Sequence, residues 1–386
     1  MEDYPAEVWE RQRDGLGIVA AQASLVPLII DADVPQMTQL FTREAVQRIP
    51  RIYLVGCGDS LYAAMAARLM FERYTGVATE AVAALEFSRY LVDYMPPGSL
   101  VIAISVSGGV SRTVEAAEWA TRRGGWVVAL TGRSDSKITQ IAQDSIVHYA
   151  VLDNDAQRLS TRGLANFEAS LISLYLGAVQ IGITLGRVDA TEGVRVQQEL
   201  RAVAADMDHT IQANTEVTRR YAEEARECKT FFLLGAGPNY ATAYFGAAKL
   251  LEGPNLNGVP QELEEWAHEQ YFLTGQGTQV IILAAPGQSI DRAREIVRTV
   301  RAVGGRAVVI TSPVEAANFG EVDFIFPIMG EIREIYTPLA YALPLEQLAI
   351  HLQNIRGSLP VANDAEENNR RQVVRQSIQQ STMRMQ

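Results

Sequence analysis

The chain has 386 residues, enough for two or three domains, and its 34 basic and 45 acidic residues give a net charge of −11. Because these charges are scattered, the chain lacks the basic face that a nucleic-acid partner requires. Its two cysteines, Cys57 and Cys228, exclude a disulfide framework and a cysteine metal cluster. The opening "MEDYPAEVWE" has no apolar segment of the signal-peptide type. We therefore expect a cytoplasmic protein without a nucleic-acid partner.

Apolar runs and helical segments alternate through the first part of the chain. Each predicted strand is almost wholly apolar, and the predicted helices stop at Gly76 and Gly124. The predicted strands are "RIYLVG" (51–56), "LVIAIS" (100–105) and "WVVALTG" (126–132), and the predicted helices cover 61–75 and 111–123. Apolar strands separated by helices indicate a parallel sheet buried on both faces, so the sequence predicts an α/β fold.

The middle of the chain carries one uncharged stretch, "ASLISLYLGAVQIGITLG" (169–186), which is long enough to be a membrane candidate. Its serines, glycines and Gln180 favour a buried central helix instead, because a helix that is apolar all round is either core or membrane. We expect that no other segment of the sequence resembles it. We also expect no membrane partner and a helical connection over residues 156–220.

The second half repeats the first. "TFFLLGAGPN" (230–239) parallels "RIYLVGCGDS" (51–60), and Gly237 follows Gly58 by 179 residues. The same step of 179 carries Gly108 onto Gly287. We therefore predict two copies of one domain. The expected organisation is an N-terminal helical region over 1–44, a first domain with its connecting helix over 45–190, a linker helix and second domain over 191–360, and a polar tail over 361–386 that is disordered or forms an arm.

The loop "SVSGGVS" (105–111) follows a predicted buried strand and precedes a helix. Ligands of parallel sheets bind beyond the carboxyl ends of the strands, where helix N-termini present free N–H groups. The hydroxyls of Ser105, Ser107 and Ser111 beside two glycines favour a phosphate site over simple helix caps. The second copy reads "AAPGQS" (284–289) and lacks most of these hydroxyls. We expect only the first copy to hold phosphate.

Three further motifs leave alternatives open. "GCGDS" (56–60) is followed by Leu61 where a dinucleotide fingerprint needs a third glycine, so we expect no nucleotide cofactor. Lys249 and Glu252 share one helix face and form either a general base with its cation or a solvated surface ion pair. His268 lies within one turn of Glu264 and Glu265 but has no second histidine nearby, so we expect no metal.

Residues 45–360 resemble the double sugar isomerase (SIS) domain family, in particular the isomerase half of glucosamine-6-phosphate synthases and the stand-alone deaminases and deglycases of amino-sugar phosphates. The family motifs C-G-T-S, S-Q-S-G-E-T, A-S-T-K, K-L-K-E and E-L-K-H correspond to residues 57–60, 105–110, 159–162, 249–252 and 265–268. The resemblance implies two tandem SIS domains, each a parallel sheet in a three-layer α/β/α sandwich, acting on a hexose phosphate without a cofactor.

The resemblance also implies roles for individual residues. Ser60, Ser105 and Ser107 would hold the phosphate, and backbone around Gly58 and Ser160 would hold sugar hydroxyls. The implied binding residues are Gly58, Asp59, Ser60, Ser105, Val106, Ser107, Gly108, Val110 and Ser160. The implied catalytic residues are Glu252 as the base between C1 and C2, Lys249 beside the carbonyl, and His268 in ring opening.

The chain departs from the family pattern in its phosphate loop and in its tail. Val106 and Val110 replace a glutamine and a threonine, which weakens the cradle or turns the sugar. The family's C-terminal catalytic lysine has no counterpart, since the tail offers only arginines: Arg370, Arg371, Arg375 and Arg384. The glutaminase half has no counterpart either, so we expect no glutaminase activity of this chain.

These features lead to two hypotheses of different class. The first is a phosphosugar isomerase, deaminase or deglycase that moves a proton between C1 and C2 of an amino-hexose or fructosamine 6-phosphate. The second is a sugar-phosphate sensor that has lost catalysis. In the resembling enzymes the histidine that matches His268 reaches the neighbouring subunit's site, which implies a homodimer with shared active sites. Trp266, Tyr271 and Phe272 are residue types that anchor such interfaces, although they could equally pack inside their own domain.

Overall fold

The computed structural model describes residues 15–148, 162–356 and 365–384. Its ten strands are β1 (Ile52–Gly56), β2 (Thr79–Ala83), β3 (Leu100–Ile104), β4 (Trp126–Thr131), β5 (Asp144–Val147), β6 (Thr230–Gly235), β7 (Asn257–Glu262), β8 (Gln279–Leu283), β9 (Arg306–Thr311) and β10 (Phe324–Pro327). Its longer helices are α1 (Leu16–Leu40), α2 (Asp59–Thr75), α3 (Ser111–Arg122), α4 (Arg162–Thr184), α5 (Ala190–Glu224), α6 (Pro238–Glu252), α7 (Ile290–Ala302), α8 (Thr337–Ile355) and α9 (Ala365–Gln379).

The chain divides into two compact units. The first-sheet unit comprises Leu25–Arg201 and Pro360–Gln386, and the second-sheet unit comprises Met1–Ser24 and Ala202–Leu359. These boundaries differ from the predicted ones because they fall inside α1 and α5 and because the C-terminal tail belongs with the first sheet. A long helix can supply apolar faces to two cores, and sequence periodicity does not show where one core ends and the other begins.

The first sheet is parallel throughout and has the order β2-β1-β3-β4-β5. Every residue of β1 and β3 is buried, which explains why these strands are apolar without alternation. The chain leaves β1 toward β2 on one side and leaves β3 toward β4 on the other. The strand order therefore reverses between β1 and β3, and loops at such a reversal open a crevice at the carboxyl ends of the strands.

The second sheet has the equivalent order β7-β6-β8-β9-β10, also parallel. The repeat extends to single dihedral angles, since Gly58 has φ 56° and ψ −131° where Gly237 has φ 54° and ψ −132°. Gly56 and Gly235 also match: a Cβ at either would collide with the first turn of the following helix, at 2.8 Å from Ser60 or 2.2 Å from Asn239. The predicted duplication is confirmed.

The uncharged stretch in the middle of the chain lies in α4, and 83% of the most apolar window within Leu164–Thr184 is buried. The prediction of a buried central helix is confirmed. The expectation that no other segment resembles it was wrong, because α1 is also long and apolar enough to cross a membrane by length and composition. The prolines Pro27 and Pro35 inside α1 disguised its helical character in the sequence.

The tail contains a helix, α9, and its last described residues pack within the first-sheet unit. The backbone N–H of Arg384 donates to Glu115, and its guanidinium donates to Ser88 O and Asp93 Oδ2, both at 2.8 Å. Arg112 donates to Ser381 Oγ at 2.6 Å and to Glu115 Oε2 at 2.7 Å. Burial opposes ionisation of Glu115, but these donors and Arg89 hold its pKa below the usual value. The polar tail is therefore anchored through one buried carboxylate.

Candidate functional site

The candidate phosphate site lies at the reversal point of the first sheet. Gly58 precedes the first residue of α2, and Val110 precedes the first residue of α3, each without a side-chain cap. The first amides of both helices therefore lack the side-chain acceptor that usually satisfies them. Because β1 and β3 are neighbours in the sheet, these two helix N-termini begin at the same edge. Uncapped N-termini of this kind attract anions.

Ser105 is the most informative residue of this edge. It follows β3 directly, is 2% exposed, and its Oγ is buried without a hydrogen-bond partner in the part of the chain that the structure describes. Its backbone is fully engaged, since its N–H donates to Leu130 O at 3.0 Å and its carbonyl accepts from Gly108 N at 2.8 Å. A buried hydroxyl without a partner is costly, and a bound oxyanion would satisfy it.

The rest of the loop is shaped by contacts across the sheet edge. Gly108 has φ +62°, and a Cβ there would lie 2.1 Å from Ser136 Oγ, so this position accepts only glycine. Val106 O accepts from Gly132 N at 3.0 Å, which ties the loop to the segment after β4. Ser107 is exposed, and its Oγ accepts weakly from Gly109 N at 3.4 Å. The loop is thus held by its backbone while its serine hydroxyls remain available.

The structure places Gly58, Asp59 and Ser60 at the end of β1, and Ser105, Val106, Ser107, Gly108 and Val110 at the end of the adjacent β3. Ser160 lies outside the described residues. The role of each of these residues stays a prediction. Sequence reasoning missed Ser136, which packs against Gly108 from 28 residues further along the chain, where no motif marks it.

Cys57 stands beside this edge without a catalytic arrangement. The thiol is half-buried, and the hydroxyl of Thr113 lies 3.8 Å from its sulfur. Burial raises the pKa of the Cys57 thiol, so the thiolate is disfavoured at neutral pH. The interpretation of Cys57 as a small packing residue agrees with this environment.

The candidate base lies in the second-sheet unit, at the end of α6. Lys249 Nζ and Glu252 Oε2 are 2.7 Å apart, and the lysine is only 3% exposed while the carboxylate-bearing side chain is 47% exposed. Lys249 Nζ also lies 4.9 Å from the centre of the Phe245 ring. The pair is therefore no solvated surface ion pair, because its cation is buried. A carboxylate that is fixed by a buried ammonium and open on its other side has the arrangement of a general base.

His268 lies in the same unit, after the short turn Glu265–Ala267. Its Nε2 is 3.5 Å from Glu264 Oε1, and the imidazole is exposed. Two hydrogen bonds from Arg292 are the main cause that lowers the pKa of Glu264. Within the described residues, no three His, Cys, Asp or Glu side chains form a group that could hold a metal.

The aromatic residues around His268 have different environments. Trp266 is fully buried, and its Nε1 donates to Thr274 Oγ1 at 3.2 Å, so the expectation that it anchors an interface is wrong. Tyr271 and Phe272 stack with ring centres 4.1 Å apart, and Phe272 is 73% exposed. These two aromatic rings leave an apolar surface beside His268 in the described chain.

The fold and the site together define a doubly wound α/β protein of two tandem domains, with an anion-binding edge on the first sheet. The model of the SIS domain matches residues 46–179, which include β1 to β5 and α4 as far as Val179. The chain belongs to the SIS domain family, and its second sheet repeats the same domain.

Known proteins with similar sequences and structures support the same assignment. The glutamine–fructose-6-phosphate aminotransferase (isomerizing) of Caldanaerobacter subterraneus subsp. tengcongensis is 27% identical over 82% of this chain and 51% of its own length. The C-terminal domain of glucosamine-fructose-6-phosphate aminotransferase from Francisella tularensis matches with a TM-score of 0.80 and 18% identity, over 90% of this chain and 96% of that one. Tagatose-6-phosphate ketose/aldose isomerase from Escherichia coli matches with a TM-score of 0.71 and 16% identity, over 90% and 94%. The chain spans about half the length of the curated relatives it matches.

Proposed function

We propose that the chain is a cytoplasmic enzyme that binds a hexose 6-phosphate and transfers a proton between its C1 and C2. The observation that carries this proposal is the buried, unpartnered hydroxyl of Ser105 at an edge where two helices begin without side-chain caps. Relatives named for fructose-6-phosphate and tagatose 6-phosphate make a phosphosugar the substrate class of choice. An amino-hexose or fructosamine 6-phosphate is the preferred substrate within it.

The phosphate is assigned to the first-sheet unit. The hydroxyls of Ser105 and Ser107 donate to its oxygens, and the amides at the start of α2 and α3 add donors and the positive ends of two helix dipoles. Val106 and Val110 supply only backbone groups at positions where the family has polar side chains. The cradle therefore depends more heavily on Ser105 than a cradle with polar side chains at those positions would.

The proton transfer is assigned to Glu252. Its carboxylate removes the proton from the carbon next to the carbonyl, which gives an enediol or enolamine, and returns the proton to the neighbouring carbon. Lys249 orients this carboxylate through the 2.7 Å contact and lowers the energy of negative charge that develops on the substrate oxygen. His268 assists ring opening. Loss of the amine, where the substrate carries one, consumes one water molecule.

The competing function, a sugar-phosphate sensor without catalysis, is supported by one observation. Arg384 is the arginine closest to the end of the chain, and it is engaged with Ser88, Asp93 and the ring of Trp119, 4.1 Å from the ring centre. It therefore does not act as a free replacement for the family's C-terminal lysine. A sensor would bind the phosphosugar through Ser105 and leave its C1 and C2 protons untouched.

Proton exchange into deuterated water separates the two functions. A panel of hexose and amino-hexose 6-phosphates is followed for isomer formation, amine release and deuterium incorporation at C1 or C2. The enzyme incorporates deuterium from at least one substrate, and Glu252→Gln binds that substrate but loses exchange by about 10²–10⁴-fold. Glu227→Gln, which changes an exposed carboxylate of the same unit, keeps the wild-type rate. Tight binding without exchange in the wild type would instead identify the sensor.

We further propose a homodimer in which His268 serves the neighbouring subunit's site. Support comes from the exposed imidazole and from the exposed Phe272 and Leu273 near it. Glu252→Gln and His268→Ala chains, each inactive alone, are refolded together for the test. A histidine that works in the partner's site restores one intact site per mixed dimer, whereas a histidine that works in its own site restores none.

A further inference from the structure

The reversal point of the second sheet, between β6 and β8, is occupied by a side chain of the protein itself. Gly287 stands 179 residues after Gly108, at the equivalent place in the loop. A Cβ on Gly287 would lie 2.2 Å from Cδ of Glu334 and 2.4 and 2.5 Å from its two carboxylate oxygens. The Glu334 carboxylate therefore packs directly against the loop backbone, where Gly108 has the Ser136 hydroxyl in the first sheet.

The same carboxylate faces both helix N-termini of this edge. The N–H of Gln288 donates to Glu334 Oε2 in a long hydrogen bond of 3.4 Å, one residue before the N-cap of α7. A Cβ on Gly237, the residue before α6, would lie 3.9 Å from Glu334 Oε1. Neither helix has a side-chain cap of its own. Glu334 is thus the negative charge that these two N-termini meet.

Glu334 is held in this position by its own backbone. It begins the short turn Glu334–Tyr336 that leads into α8, and its carbonyl accepts from Thr337 Oγ1 at 2.6 Å. Tyr336, two residues later, is buried. No cation in the described chain forms an ion pair with the Glu334 carboxylate. The helix N-termini and the Gln288 amide are therefore its electrostatic partners.

We propose that Glu334 is a built-in anion that fills the second sheet's oxyanion position and excludes phosphate from it. The residue stabilises the second-sheet unit and restricts phosphate binding to the first sheet. This inference goes beyond the proposed function and does not rest on it, because every contact that carries it lies within the second-sheet unit. The ligand class that would enter on removal of the carboxylate is a tetrahedral oxyanion, phosphate or sulfate.

The test uses the full chain carrying Ser105→Ala and Ser107→Ala, so that the first-sheet hydroxyls do not contribute. Into this parent we introduce Glu334→Ala, Glu334→Gln or, as a matched control, Glu331→Ala, which removes an exposed carboxylate three residues away. The melting temperature, Tm, is measured with increasing inorganic phosphate and with sodium chloride at equal ionic strength.

We expect Glu334→Ala to lower Tm in chloride and phosphate to restore it by about 2–4 °C, because the anion binds only the folded state. Glu334→Gln fills the space without charge, so it should lower Tm and show no phosphate response. The parent and Glu331→Ala should show neither effect. An equal phosphate response in Glu334→Ala and the parent, or an unchanged Tm in Glu334→Gln, would overturn the proposal. Failure of the first-sheet phosphate site is read separately, from wild type against parent.

Discussion

The loop after β3 and the loop after β8 have the same place in two copies of one domain but meet different side chains. The first presents Ser105 with an unpartnered hydroxyl and passes Gly108 over the hydroxyl of Ser136. The second has alanines in place of the serines and passes Gly287 over the carboxylate of Glu334. Both sheets offer two helix N-termini at a reversal of strand order, which is a geometry that favours anions. The fold therefore provides the anion position twice, and one side chain decides whether a ligand can use it.

The two units also differ in where they place ionisable groups. The second-sheet unit carries the Lys249–Glu252 pair with its buried cation, at the end of α6. The matching region of the first-sheet unit, the end of α2, carries Arg73 and Thr75 instead. We interpret this as specialisation after duplication, with substrate anchoring assigned to one copy and proton transfer to the other.

The largest expected effect is the loss of the first-sheet hydroxyls. Replacing both Ser105 and Ser107 by alanine should weaken binding of a hexose 6-phosphate by about 100-fold or more, since each hydrogen bond to a charged group contributes about 1.5–3 kcal/mol. Ser289→Ala, at the N-cap of α7 in the second sheet, should leave affinity unchanged. Titration calorimetry measures both. Equal affinity in the double variant and the wild type would show that the first loop is no phosphate cradle.

The matched glycines of the two loops should respond differently to the same substitution. Gly108→Ala places a Cβ on Ser136 at φ +62° and should reduce the free energy of unfolding by about 2–3 kcal/mol. Gly287→Ala meets only the end of the flexible Glu334 side chain and does not have a positive φ, so it should cost about 1 kcal/mol or less. Urea denaturation gives both values. A larger loss at Gly287 than at Gly108 would contradict the assigned neighbours.

The smallest expected effect concerns pH. Asp33 of α1 is buried in the first-sheet unit, where Ser173 Oγ donates to it at 2.5 Å, and burial raises its pKa to about 7. In the second-sheet unit α1 contributes the neutral Gln22, which donates to Glu346 at 2.5 Å. Because folded Asp33 holds a proton that the unfolded chain releases near its ordinary pKa of 3.8, its stabilising contribution is complete below that pH and is lost as pH rises through about 7.

Asp33→Asn removes this titration while keeping the shape of the side chain. The wild type should lose about 1–2 kcal/mol more stability than the variant between pH 5 and pH 8. Gln22→Glu serves as the counterpart in the other unit and should make that unit pH-sensitive in the same direction. Parallel stability profiles of the wild type and Asp33→Asn would mean that Asp33 is ionised in the folded protein.

Most of the architecture follows from local pattern. Strands such as β1 and β3 are buried on both faces, so they must be apolar at every residue, and the sequence shows this directly. Helix ends at Gly76 and Gly124 require a left-handed backbone or a tight turn, which glycine marks. The step of 179 residues between Gly58 and Gly237 reveals the duplication in the sequence itself, because both positions need the same unusual dihedral angles and both keep glycine.

What only the tertiary structure decided is which distant side chains face these loops. Ser136 against Gly108, Glu334 against Gly287 and Arg384 against Glu115 are separated by 28, 47 and 269 residues, so no periodicity or spacing connects them. Burial is equally invisible locally: the spacing of Lys249 and Glu252 fits a solvated pair as well as a buried one, and packing against Phe245 made the difference. Local sequence determines the backbone that each segment prefers, whereas the charge and solvation of a site depend on which elements the fold brings against it.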